Sequence, residues 1–133
     1  MKQSPTMKIS IQHFNHVALH VRDLERSQKF YVETLGFPLL ARPGFNFPGA
    51  WIGLADGELH LIVEPDRKEP TGSHHFALLV ESIFPIQKYL EEAGIPIHSR
   101  SFRPDGYDQL YILDPDGYQI EFYSKANHEK ENV

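Results

Sequence analysis

Apolar and polar residues alternate along several short segments of the chain, which is the pattern of β-strands with one buried face. The segments with the clearest alternation are 13–21, 58–64, 74–80 and 118–124. Further strands are predicted between turn signals such as Pro43-Gly44 and Asp56-Gly57, at 37–42, 49–55, 96–101 and 108–114. A short extra strand is predicted at 8–11.

Two other segments have the features of helices. The first begins after Asp23, a good N-cap residue, and runs to about residue 34, where Gly36 supplies the left-handed conformation that ends it. The second begins after Ser82 and ends at Gly94. Each helix follows one strand and precedes three.

The order of elements is repeated because the chain is a tandem duplication. The segment NHVALHV at 15–21 returns as HHFALLV at 74–80, and each copy leads into a helix, an Asp-Gly turn and a closing strand. The predicted fold is α+β, with two tandem βαβββ modules whose mixed sheet curls into a cup and whose helices cover the outer face. The predicted boundaries are an N-terminal extension at 1–12, a first module at 13–66, a linker at 67–73, a second module at 74–124 and a C-terminal tail at 125–133.

Composition narrows the functional classes. Of 133 residues, 41% are hydrophobic and the formal net charge is −5, which is typical of a globular domain and excludes extensive disorder. There is no basic stripe for nucleic acid and no apolar run long enough for a bilayer, so we expect a cytoplasmic protein that acts on a small molecule. Cysteine is absent, so a metal can be bound only through histidine and carboxylates.

The two-residue period of the strands places four such groups on the helix-free faces: His16, His60, His75 and Glu121. A half-solvated sheet explains one or two polar residues there. It explains poorly why they recur at equivalent positions of both modules among apolar neighbours. We therefore predict that three imidazoles and one carboxylate converge on a divalent cation.

The motifs that carry this pattern resemble the vicinal oxygen chelate superfamily, which includes glyoxalase I, fosfomycin-modifying thiol transferases, extradiol dioxygenases and bleomycin resistance proteins. The resemblance covers about 14–123, and its most specific segments are NHVAL at 15–19, LGF at 35–37, HFA at 75–77 and LDPDG at 113–117 before Glu121. It implies one glyoxalase-like domain over 13–124 and a homodimer in which modules of two chains complete each site.

The resemblance also implies roles for the four residues. His16, His75 and Glu121 match the superfamily's metal ligands, whereas His60 stands where glyoxalase I usually has a glutamate. The ion is a divalent metal, with nickel, zinc, manganese, iron and cobalt all compatible. Glu121 is the expected catalytic base of a lyase or isomerase that stabilises an enediolate or enolate of a small carbonyl substrate. The alternatives are a fosfomycin-type thiol transferase, a dioxygenase, or a non-catalytic small-molecule-binding protein.

Five further residues are candidates for substrate binding. Phe47 and Trp51 lie in a segment rich in turn formers that either overhangs the cavity or buries its aromatic rings in a dimer interface. Arg103 either holds an anion or is an exposed hairpin arginine. Tyr111 and Tyr123 are candidate proton relays or oxyanion donors, although Tyr111 also suits an ordinary strand position.

Overall fold

The computed structural model describes residues 7–70 and 74–126. In chain order the elements are β1 (His16–Val21), α1 (Leu24–Gln28), β2 (Leu39–Leu40), β3 (Gly49–Leu54), β4 (Gly57–Val63), β5 (His75–Leu79), α2 (Ile83–Glu92), β6 (Ser99–Phe102), β7 (Tyr107–Leu113) and β8 (Gln119–Lys125). A π-helical segment, Lys29–Thr34, continues α1. Residues 1–6 of the predicted extension, 71–73 of the predicted linker and 127–133 of the predicted tail lie outside the described residues.

Each module forms its own four-stranded mixed sheet. The strand order is β1-β4-β3-β2 in the first and β5-β8-β7-β6 in the second. The first strand of each module runs parallel to the last, and the remaining neighbours are antiparallel. This repeated topology confirms the α+β fold of two tandem βαβββ modules.

The first module differs from the prediction near its edges. Residues 7–15 form no strand, and Ile9 and Ile11 are 92% and 80% exposed. The strand predicted at 37–42 is reduced to the two residues of β2, since Pro38 and Pro43 flank it and proline cannot donate to a sheet. The alternation of apolar and polar residues does not show whether a predicted strand has a neighbouring strand with which to form hydrogen bonds.

The first helix begins as expected but ends in a wider turn. The Asp23 side chain accepts a hydrogen bond from the Arg26 amide at 3.1 Å. The amide of Leu35 then bonds to the carbonyl of Phe30 at 2.9 Å, a five-residue step that defines the π-helical turn, and Gly36 follows with φ of 78°. Ser82 occupies the N-cap position of α2, although its side chain makes no capping hydrogen bond.

The helices cover one face of each sheet, as predicted. Leu59 and Leu61 of β4 are buried on that side in the first module, and Ile120 and Phe122 of β8 are buried in the second. The opposite side of each sheet, called the open face below, carries the polar residues of the same strands. Within the described residues no helix has the length and apolar character needed to cross a bilayer.

A buried polar cluster joins the two modules. The turn before β8 brings Asp116 against the first module, where it accepts hydrogen bonds from the amide and Nε of Arg22 at 3.0 and 2.9 Å and from Ser27 Oγ at 3.1 Å. Nearby, Tyr31 donates to Asp114 at 2.7 Å. Burial, followed by the Asp114 charge, raises the pKa of Tyr31 well above its usual value, so its hydroxyl remains a donor. We call these five residues the inter-module contact.

Candidate metal and substrate site

The second module brings His75 and Glu121 together on its open face. His75 Nε2 lies 2.9 Å from Glu121 Oε1, and the carboxylate is almost entirely buried. Glu121 pairs with Ala77 of the edge strand β5, and the side chain of Ala77 is small. A separation of about 3 Å is what two adjacent ligand atoms have when each binds one ion at about 2.1 Å.

Two neighbouring side chains hold the Glu121 carboxylate in place. Tyr111, directly opposite in the β7–β8 register, donates its hydroxyl to Oε1 at 2.9 Å. Gln109, two residues earlier on the same face, donates Nε2 to Oε2 at 3.0 Å. Burial and the bond to Glu121 raise the pKa of Tyr111, so its hydroxyl stays protonated around neutral pH.

The first module presents a stack of three rings on its own open face, formed by Trp51, His60 and His16. The Trp51 and His60 ring centroids are 4.2 Å apart with planes 3° apart, because the two residues are opposite each other in the β3–β4 register. His16 continues the stack from β1, with its centroid 3.9 Å from that of His60. We refer to these three residues as the ring stack.

Both histidines of the ring stack have a polar partner on one ring nitrogen. Asn15 Oδ1 lies 2.8 Å from His16 Nδ1. When that nitrogen carries the proton, Nε2 of His16 keeps its lone pair for a metal. His60 is held differently, since its Nε2 lies 2.9 Å from Glu58 Oε1, which leaves Nδ1 as its free nitrogen.

The four predicted ligands therefore form two pairs in one chain. His75 is close to Glu121, and His16 is close to His60. In the part of the chain that the structure describes, no three His, Asp or Glu side chains are close enough to hold one ion. The donor chemistry of the pairs nevertheless suits a divalent metal, since imidazole nitrogen and carboxylate oxygen are bound by all the candidate ions.

The substrate-binding candidates lie on both open faces. Phe47 is 43% exposed beside Phe45, whose ring centroid is 6.1 Å from that of Trp51. In the second module Arg103 lies over the rings of Tyr107 and Tyr123, 5.4 and 6.0 Å from their centroids. Arg103 is also bonded to Asp105, so its charge is partly satisfied.

The sequence of the chain matches a known family over nearly all of this architecture. The model of the glyoxalase/bleomycin resistance protein/dioxygenase superfamily matches residues 13–122, which cover both modules up to the middle of β8 and include all four candidate ligands. The chain belongs to this superfamily.

Several superfamily members are similar to the chain over most of their own length. Glyoxylase I 4 of Arabidopsis thaliana is 33% identical over 132 residues, with 91% of this chain and 75% of the relative covered. The glutathione transferase FosA of Serratia marcescens is also 33% identical, over 119 residues, with 85% and 81% covered. A solved glyoxalase family protein from Bacillus anthracis superposes with a TM-score of 0.80 at 27% identity, with 90% and 100% covered.

Relatives named for different reactions are thus equally similar to this superfamily member, so the choice between reactions depends on the side chains of the site. Sequence reasoning missed two of them, Gln109 and Asn15. Gln109 could have been found from the two-residue period, which places it on the face of Tyr111 and beside Glu121. Asn15 was missed because the predicted strand at 13–21 places it on the face opposite His16, whereas in the structure it precedes β1 and its side chain contacts that of His16.

Proposed function

We propose that the protein is a metal-dependent enzyme of the lyase or isomerase type, acting on a small carbonyl substrate. The observation that carries the proposal is the environment of Glu121. This carboxylate is buried on an open face, lies 2.9 Å from an imidazole, and is oriented by hydrogen bonds on both of its oxygens. Such an arrangement suits a group that both holds a cation and receives a proton.

The side chains divide the work as follows. His16, His75 and Glu121 would hold the divalent ion, with His60 as the predicted fourth ligand. Three neutral imidazoles and one carboxylate leave a bound divalent ion with a net charge of +1, which would stabilise an oxyanion that develops on the substrate. Glu121 accepts the proton removed beside the carbonyl. Tyr111 remains protonated, and its hydroxyl keeps the hydrogen bond to Oε1 that orients the Glu121 carboxylate.

We infer that two copies of the chain complete each site. One chain offers His16 with His60 and, separately, His75 with Glu121, and each pair has too few protein ligands for a catalytic metal site. A two-fold symmetric dimer can bring the first pair of one copy against the second pair of the other, and symmetry then generates two equal sites.

A complementation experiment tests the shared site. His16→Ala and Glu121→Gln are each expected to be inactive, but a mixed dimer has one site that contains both wild-type residues. Random assembly of the co-expressed variants should restore about a quarter of wild-type activity. A site within one chain would instead be damaged in every molecule, and the mixture would stay inactive. Mass in solution checks that a dimer forms.

A thiol transferase of the FosA type is the second candidate, because FosA is as similar to this chain as the glyoxalase-named relative. Metal analysis of protein purified without chelator, followed by two assays, separates the candidates. We expect a stoichiometric divalent ion and isomerisation of a hemithioacetal. Thiol addition to an epoxide, without isomerisation, would favour the transferase. Protein that retains no metal would favour the non-catalytic binding protein.

A further inference from the structure

Arg42 is held in a fixed position on the open face of the first module. Its guanidinium carbon lies 4.8 Å from the ring centroid of Phe45 and 5.0 Å from that of Phe47, and its Nη2 donates to the Phe47 carbonyl at 3.0 Å. A Cβ on Gly49 would lie 2.9 Å from Nη2, so glycine provides space for the guanidinium over the sheet. We call Arg42, Phe45 and Phe47 the arginine clamp.

In the described part of the chain no carboxylate neutralises the charge of Arg42, in contrast to the other arginines. Within the described residues a carboxylate oxygen lies within 4.0 Å of each of the others, which are Arg22, Arg26, Arg67, Arg100 and Arg103. No such ion pair involves Arg42 within 7–70 and 74–126, and its Nε, like that of Arg67, is buried without a hydrogen-bond acceptor. A guanidinium that is ordered in advance and still has free donors is suited to bind an oxyanion at little entropic cost.

The arginine clamp adjoins the candidate metal site. Gly49, beneath the guanidinium, is two residues before Trp51 in β3, so both face the same side of the sheet. The ring centroid of Phe45 in the clamp is 6.1 Å from that of Trp51. Trp51 is one end of the ring stack, and His16 is the other end. An extended small molecule could therefore contact Arg42 at one end and approach His16 with the other.

We propose that the arginine clamp is a subsite for an oxyanionic group of the substrate, at the opposite end of the molecule from its reacting carbonyl. This proposal rests on the proposed function for the location of the reacting end, but anion binding by Arg42 requires no metal. The chemistry shared by the possible ligands is a terminal group with two or more equivalent oxygens, which is either a carboxylate or a phosphonate.

The test is an anion titration of the full-length, chelator-treated protein at constant ionic strength. Trp51 is the single tryptophan of the chain, so its fluorescence reports on the clamp beside it. Butyrate and butylphosphonate are the charged probes, and butyramide is the neutral control. Whichever anion fits should change the emission with saturation, whereas butyramide should not. Arg42→Met should weaken the binding of that anion by about tenfold or more, which is the usual effect of losing charge-assisted hydrogen bonds.

Two further variants make the result specific. Arg67→Met removes the same charge from an arginine paired with Glu64, and it should bind the anion as wild type does. Arg42→Lys keeps the charge but loses the planar fork, so it should be intermediate. Equal binding by wild type and Arg42→Met overturns the proposal. A wild type that responds to neither anion, in its fluorescence or in the ring-proton resonances of Phe45 and Phe47, also overturns it. The same holds if Arg42→Met changes the mass of the dimer but leaves anion binding unchanged. Metal content, measured separately, tests the proposed function on its own.

Discussion

Glu121→Gln should lose divalent-metal affinity by more than about 100-fold, and activity with it, because the neutral amide replaces the only charged ligand predicted for the site. The substitution also disrupts the hydrogen bonds that the side chain at position 121 accepts. Gln109 and Tyr111 both donate to the carboxylate, and an amide at position 121 presents an NH₂ group to one of these donors. The metal content after dialysis and the calorimetric affinity measure the loss.

Glu64→Gln is the matched control. Glu64 also lies beside a histidine, with its Oε2 3.0 Å from His20 Nδ1, but it follows β4 and has no predicted ligand role. We expect its metal affinity to be that of the wild type. If Glu121→Gln retained a full complement of metal, Glu121 would not be a ligand, and the proposed reaction would lose its base.

The largest expected effect on stability belongs to Asp116→Ala, which should lower the free energy of unfolding by about 3–5 kcal/mol. The buried Asp116 carboxylate is the shared acceptor for Arg22 Nε, Ser27 Oγ and, at 3.2 Å, Arg26 Nη2. Its removal leaves the partly buried Arg22 guanidinium with Glu69, an exposed side chain 4.0 Å away, as its remaining counter-charge. Urea denaturation followed by circular dichroism measures the change.

The pH dependence of unfolding provides a second measurement on the same residue. Burial opposes ionisation of Asp116, but hydrogen bonds from Arg22 and Ser27 and the charge of Arg26 outweigh it and lower the pKa below the ordinary 3.8. A carboxyl group whose pKa is lower in the folded protein stabilises it fully above 3.8, and this contribution disappears as the pH falls through the folded-state value. The variant should therefore lose less stability than wild type on acidification through this range.

Asp105→Ala controls for the loss of an ordinary ion pair, since Asp105 is bonded to Arg103 on the surface. This variant should change the free energy of unfolding by less than about 1 kcal/mol. Comparable values for Asp105→Ala and Asp116→Ala would mean that the inter-module contact contributes no more than a surface pair does.

The sequence was sufficient to predict the fold because two periodicities and one repeat specify it. The two-residue period showed which side chains of β4 and β8 are buried, and the duplication predicted the same order of elements twice. The pairs formed by His75 with Glu121 and by His16 with His60 are consistent with this placement on the open faces. That the two pairs meet around one ion stays a prediction, because it rests on the proposed dimer.

Features that depend on single hydrogen bonds could not be predicted in this way. The wide turn at Leu35 forms because its amide donates to the carbonyl of Phe30, five residues earlier. The helical spacing of apolar residues in the sequence does not distinguish this turn from an ordinary α-helical one. Asp116 belongs to a recognisable turn motif, but nothing in its neighbourhood along the chain indicates that its partners are Arg22 and Ser27. Contacts across about 90 residues carry no local signal.

The inter-module contact has a consequence for attempts to express the duplicated halves separately. A fragment containing only the first module would keep Arg22 and Arg26 without their anion, and a fragment containing only the second would keep Asp116 without its cations. Neither fragment therefore keeps the ion-pair partners that its charged residues have in the whole chain, although the two modules share one topology. The two similar modules therefore depend on each other for the balance of charge at this contact.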